Sequence, residues 1–233
     1  GTTYAPDKVA LQTEVGSNTD YKKSYWITQT DANGCESTPT EVVLDLLDCP
    51  WEAPTVSAIE SCSGSTLANL EATEGASVAS MAKNGSVSSW VWYNAAGTEI
   101  SGSTAASFAH GVSNTTVQTT NFSVAYKAIE KSSGVECQSP ATPVTVTVLP
   151  LPTITFDKAS EVVCYTTEET KVGVKATSDN GTGTGEWTIT GNASAISTNG
   201  IFYAQKNGTI AGQSQYTITY KYTDAKGCVN SKD

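Results

Sequence analysis

The chain has 233 residues, room for two or three sandwich-sized domains, and 38% of them are hydrophobic. Only 15% are charged, and 23 acidic residues against 13 basic ones, all lysine, give a net charge of −10. With no arginine fork and no basic stripe, nucleic acid and anionic lipid are not expected partners, and no run of about 18 apolar residues points to membrane insertion.

In chain order, the N-terminal GTTYAPDK has no signal-peptide anatomy and reads as an internal start, with any export signal upstream. Two strands follow, YKKSYWITQT and PTEVVLDL, separated by the turn DANGC. Residues 1–50 are therefore expected to be the C-terminal part of an incomplete immunoglobulin-like domain. A Pro-marked linker, DCPWEAPTV, opens residues 51–150, expected to be a complete sandwich. Its strands read as APTVSAI, STLANLEAT, SSWVWYN, ASFAHGV, TTNFSVAYKAIE and PVTVTVL, with a turn at Ala96–Gly97. The linker LPLPTITF opens residues 151–233, a further sandwich whose strands include GEWTITG and SQYTITYKYT and whose last strand is expected to be missing. Asn-Gly pairs at Asn33, Asn84, Asn180, Asn199 and Asn207 predict tight turns. Fold class is all-β: tandem immunoglobulin-like sandwiches with Greek-key-type connections.

Three segments resemble one another: Thr28–Thr38, Glu130–Pro140 and Lys221–Ser231. Each takes a strand through a Gly-containing turn into a cysteine, at Cys35, Cys137 and Cys228. A repeat of about 90–100 residues is too long for a solenoid and suits strings of sandwiches. Six cysteines with no C-x-x-C pair argue for disulfides over zinc, and so for an oxidising, extracellular location. Closing each domain on itself predicts Cys62–Cys137 and Cys164–Cys228. For Cys35, either the partner precedes Gly1 or it bridges Cys49. Trp90 and Trp92 share one strand face and are expected to fill the core beside a disulfide, with Trp187 in the corresponding place of residues 151–233.

The Pro linker, the W-x-W-Y strand and the Cys turn followed by an alternating V-x-V strand resemble the immunoglobulin-like repeats of large Bacteroidetes cell-surface proteins. These include gliding-motility adhesins and other substrates of type IX secretion. YWITQTDANGCESTPTEVVL carries most of the likeness, while residues 151–233 depart from it with the loop SDNGTGTGE and no second Trp. The resemblance implies an exported adhesin or surface fibre and identifies no ligand.

Signs of chemistry are weak. His110, the one histidine, sits in FAHGV and reads as an incidental surface residue, so a Ser–His–Asp or Cys–His site is not expected. The acid pairs Glu168–Glu169, Glu71/Glu74 and Asp45/Asp48 lack the facing cleft that glycoside hydrolysis needs. No enzyme activity and no cofactor are expected. Calcium alone is worth weighing, because Asp31-Ala-Asn33-Gly34 and Asp224-Ala-Lys226-Gly227 resemble the start of a calcium loop. They lack its later bidentate Glu, and Asx-turns explain them more simply. Trp26 and Trp51 are candidate ligand-contacting aromatics. N-x-Ser/Thr sequences at Asn84, Asn114, Asn121, Asn180, Asn192 and Asn207 are chance matches in a Ser/Thr-rich chain.

The expected function is a non-catalytic segment of a secreted cell-surface repeat protein, an adhesin stalk or filament built of disulfide-closed domains. Expected partners are other domains of the same protein, further copies in a homo-oligomer or filament, and surface glycans or neighbouring cells. The alternatives are a carbohydrate-binding accessory region of a secreted glycoside hydrolase and a passive spacer.

Overall fold

A computed structural model of the chain describes residues 20–47, 50–165, 169–207 and 215–233. They belong to two compact units: residues up to 53 with 74–89 and 126–140 in one, and 54–73, 90–125 and 141–233 in the other.

In the first unit, β1 (Asp20–Ile27) and β2 (Thr40–Leu47) form an antiparallel ribbon in which Ile27 opposes Thr40. On this ribbon Trp26, Ile27, Val42 and Val43 are exposed. Its turn is closed by Asp31, whose Oδ1 accepts from the amides of Asn33 and Cys35, with Gly34 at φ +83°. That dihedral is costly for any residue with a Cβ, which is why Asn-Gly marks the turn in the sequence. Elsewhere in this unit Trp51, Val78, Ala82, Tyr126 and Ala128 are buried. Tyr126 donates its hydroxyl to the Glu52 carbonyl at 2.7 Å, and its amide donates to Ser139 Oγ.

In the second unit, β3 (Thr55–Val56) is followed by β4 (Ile59–Cys62), β5 (Leu70–Thr73), β6 (Ser89–Asn94), β7 (Ser107–Phe108), β8 (Gln118–Ile129), β9 (Glu136–Gln138) and β10 (Thr142–Leu149). Ser89 of β6, residues 126–129 of β8 and all of β9 fall in the first unit. One sheet runs β3-β5-β7 and the other β4-β10-β8-β6, with β9 on β8. The first strand is thus divided: β3 pairs antiparallel with β5, while β4 crosses to pair parallel with β10. A strand that changes sheet forms the corner of a sandwich, and two sheets facing one core are the immunoglobulin-like architecture. Alternation dictates which side chains meet. Leu70 and Ala72 point in from β5, and Val144, Val146 and Val148 from β10. Between the sheets, Trp92 stacks on Phe108 at 4.8 Å, and Phe108 meets Phe122 edge-on at 5.5 Å.

After Pro150-Leu151-Pro152 come β11 (Thr153–Phe156), β12 (Glu169–Lys171), β13 (Val174–Thr177), β14 (Thr184–Ile189), β15 (Ile201–Tyr203), β16 (Ile218–Thr223) and β17 (Val229–Lys232). β11 pairs with β13 as β3 does with β5, and β14-β16-β17 form an antiparallel sheet. Ala195, Ile196 and Phe202 make the core, with Trp187, Ile189 and Ile218 packed against it. Gly200, at φ +72°, lies under Trp187, where an added Cβ would come within 2.6 Å of the indole.

The β8–β9 turn has its own cap. Glu130 accepts from the amide and hydroxyl of Ser132 and from the amide of Ser133 at 2.6–2.8 Å, and these bonds pull its carboxyl down to about 2. A folded pKa below the unfolded value contributes stability that is complete above about pH 4.3 and is lost as pH falls through about 2. An NMR carboxyl titration is expected to place Glu130 near the low value. Ser132→Ala is expected to move it towards the ordinary glutamate range, with the remaining bonds from the backbone amides of residues 132 and 133 holding part of the shift.

Candidate functional site

Two ordinary sequence features build the site. β4 ends in Cys62, opposite Leu149 at the end of β10, so the cysteine stands beside the Pro linker. Between β16 and β17 the turn Asp224-Ala-Lys226-Gly227 delivers Cys228. Asp224 Oδ1 accepts from the amides of Lys226 (3.0 Å) and Cys228 (2.8 Å), and its Oδ2 from Ser178 Oγ (2.7 Å) and Asn180 Nδ2 (2.8 Å). Burial pushes this carboxyl's pKa up, but the bonds from Asn180, Ser178, Cys228 and Lys226 outweigh it and hold the pKa below the usual aspartate value.

Cys228, fully buried, is disulfide-bonded to Cys62, with Cα atoms 5.4 Å apart across a sequence separation of 166. Three polar contacts surround this staple. Lys226 Nζ reaches Glu60 at 2.7 Å, Asn230 Nδ2 donates to the Pro152 carbonyl, and Asn180 Nδ2 to the Pro150 carbonyl. Proline linkers leave carbonyls that no strand partner takes up, and here two asparagines from the β11–β17 segment satisfy them. The covalent link sets the joint and the asparagines hold its connecting chain. The Glu60–Lys226 pair, half exposed at both ends, adds little by comparison. Lys226→Ala is expected to lower stability by under about 1 kcal/mol in urea denaturation, and less at high salt.

The predicted cysteine pairings are corrected. Cys62 does not bond Cys137: Cys62 lies by the β10 end that faces Gln118, the first residue of β8, whereas Cys137 pairs with Ala128 near the strand's other end. A disulfide needs Cα atoms within about 7 Å. Cys137 is itself disulfide-bonded, to a residue other than Cys62. Cys164 does not bond Cys228, which is taken by Cys62; Cys164 and Cys35 are both free and exposed. The Cys35–Cys49 alternative is corrected too, because Cys35 is free; Cys49 itself lies outside the described residues. The three Cys turns are not equivalent either. In Thr28–Thr38 and Lys221–Ser231 the cysteine directly follows the glycine, while Cys137 stands three places after Gly134, inside β9.

Among the aromatics, Trp92 is fully buried and donates its indole N–H to the Ala105 carbonyl at 2.9 Å; Trp90 is buried beside it in sequence. Trp187 is partly buried against the Phe202 cluster and lies 4.6 Å from Tyr220. Trp26 is 65% exposed, but Trp51 is 3% exposed and cannot meet a ligand on the surface. By sequence Trp51 joins Trp26 as a candidate ligand-contacting aromatic, yet the chain turns this ring inward. Asp31 and Asp224 commit a carboxylate oxygen to turn amides, and among the described residues no three His, Cys, Asp or Glu side chains gather as a metal cluster. His110 accepts from the Val112 amide and contacts the Ala68 carbonyl, at the rim of a shallow surface depression.

No protein-family model matches the chain, and no curated protein does. Among solved structures it is similar to fibronectin(III)-like modules of Clostridium thermocellum CbhA, at 20% identity and a TM-score of 0.34, over 77% of this chain and 90% of that one. Mouse protocadherin-24 EC1-3 is similar at 11% identity and a TM-score of 0.23, over 93% and 78%. The sandwich assignment rests on the sheets described above.

Proposed function

We propose that the chain is a non-catalytic, tension-carrying spacer of a secreted cell-surface repeat protein, of the adhesin-stalk or filament kind. The observation that carries this reading is the Cys62–Cys228 staple. Tension applied at the two ends of the chain passes from Cys62 through sulfur to Cys228, and the residues between them are bypassed. At about 3.3–3.6 Å per extended residue, roughly 55–60 nm of chain is withheld from extension. A spacer of this kind keeps its length under load, and its immunoglobulin-like sandwiches serve as rigid spacing. Stretching single oxidised molecules by their termini is the test. The reading requires that this length appear only after a reductant is added. Full extension without reductant would sink it.

A second reading, a carbohydrate-binding region, has one observation in its favour: the exposed Trp26 on β1. A platform of several coplanar rings would need Trp51 as well, and Trp51 is buried. Retention on cellulose, chitin or host glycan that disappears in Trp26→Ala would move this reading ahead.

A further inference from the structure

Of the Asn-Gly pairs whose residues are described, Asn180-Gly181 is bonded differently from the rest. Such a pair can close on itself, the glycine nitrogen attacking the asparagine side-chain carbonyl carbon, because glycine has no Cβ to hinder the approach. At Gly34, Gly85 and Gly200 that nitrogen is occupied, donating to the carbonyls of Asp31, Ala82 and Ser197 at 3.0–3.1 Å. Among the described residues the Gly181 nitrogen makes no such bond. At this pair the side chain is held instead. Asn180 Nδ2 donates to the Pro150 carbonyl and to Asp224 Oδ2, both at 2.8 Å, and the Asn180 amide donates to Ser178 Oγ at 3.1 Å. Both acceptors of Nδ2 belong to the joint, one in the linker and one in the turn that delivers Cys228.

We propose that Asn180 is a self-modification site that makes opening of the joint permanent. While the joint is closed, its two acceptors fix the side-chain amide and keep it from swinging onto the Gly181 nitrogen. Local opening releases it. The Gly181 nitrogen then bonds to Cγ and gives up its proton, the Cγ–Nδ2 bond breaks, and ammonia leaves behind a cyclic imide. Water opens the ring at either carbonyl, to aspartate or isoaspartate. One amide and one water become one carboxylic acid and one ammonia, and nothing is oxidised or reduced. The product cannot restore the clamp. A carboxylate puts an oxygen where Nδ2 donates, against the Asp224 carboxylate and the Pro150 carbonyl, so two bonds become two repulsions. Asp224 is buried, which weakens the screening of that repulsion. The joint thus reopens and recloses only until Asn180 is converted. The modification requires no more than opening, whether or not the chain carries tension.

The test follows Asn180 by peptide mass mapping of the full, unreduced chain, its free thiols blocked, during incubation at mildly alkaline pH. Asn33, in the other unit, is the internal control. The wild type is compared with Cys62→Ser and with Ser178→Ala, which keeps the staple but removes one bond to Asp224 and one from the Asn180 amide. Both variants are expected to convert Asn180 roughly tenfold faster than the wild type, with Asn33 unchanged. Asn180→Asp, a copy of the product, is expected to lower the urea midpoint further than Asn180→Ala, which loses the same bonds without gaining a charge. One rate at Asn180 in all three proteins would overturn the proposal, as would equal midpoints for Asn180→Asp and Asn180→Ala. If Cys62→Ser unfolds as a whole, Asn33 accelerates together with Asn180, and Ser178→Ala decides. The same digest shows whether the Cys62–Cys228 peptide pair is present, so a missing staple is told apart from a failed latch.

Discussion

Cys62→Ser is expected to lower the stability of the β3–β17 region by about 3–5 kcal/mol, read as a fall in the urea midpoint. Cross-linking a loop of this length removes about 5 kcal/mol of chain entropy from the unfolded state, the upper end of what disulfides contribute. Cys228→Ser is expected to match it, and the double variant to fall no further, because both substitutions remove one bond. A reductant should lower the wild type at least as far, since it also opens the separate disulfide of Cys137, and should move the variants only by what that second bond contributes. A small effect in all three would mean that the joint is held by Asn180, Asn230 and the surrounding packing. A further consequence concerns cooperativity: the oxidised chain should unfold its β3–β10 and β11–β17 parts in closer succession than the reduced one.

Trp92→Ala should be the most damaging single core change. The ring is fully buried, stacks on Phe108 and holds the Ala105 carbonyl through its N–H. Truncation of a buried tryptophan costs about 3–5 kcal/mol, part of it from the cavity left behind. Trp92→Phe keeps most of the aromatic contact but strands the carbonyl, and about 1–3 kcal/mol should be lost. Circular dichroism melts of the three proteins order them wild type, Phe, Ala. Equal losses for Phe and Ala would assign the effect to the hydrogen bond rather than to packing.

Alternation made much of the fold readable before any coordinates. PVTVTVL lies within β10, SSWVWYN contains β6, and all of TTNFSVAYKAIE but its last residue, Glu130, lies within β8, because a strand with one buried face repeats every two residues. The Asn-Gly turns at Gly34, Gly85, Gly181 and Gly200 have the positive φ that the dipeptide signals. The division of the first strand between two sheets was not readable, since the apolar pattern of APTVSAIESC suits either partner. Disulfide pairing was not readable either. Even spacing of cysteines is the same whether a domain closes on itself or reaches across a linker, and only β4's register with β10 distinguishes the two. Trp51 was not readable for a related reason: an aromatic near others in sequence can face the core or the solvent, and residue type does not say which way the ring points.

Mass mapping of the protein digested without reduction, with free thiols blocked beforehand, tests the central claim most directly. A peptide pair joined through Cys62 and Cys228, with Cys35 and Cys164 carrying the blocking group in freshly prepared monomer, is the predicted result. Peptides joined as Cys62–Cys137 and Cys164–Cys228 would contradict it, returning each disulfide to a single domain and leaving the joint without a covalent staple.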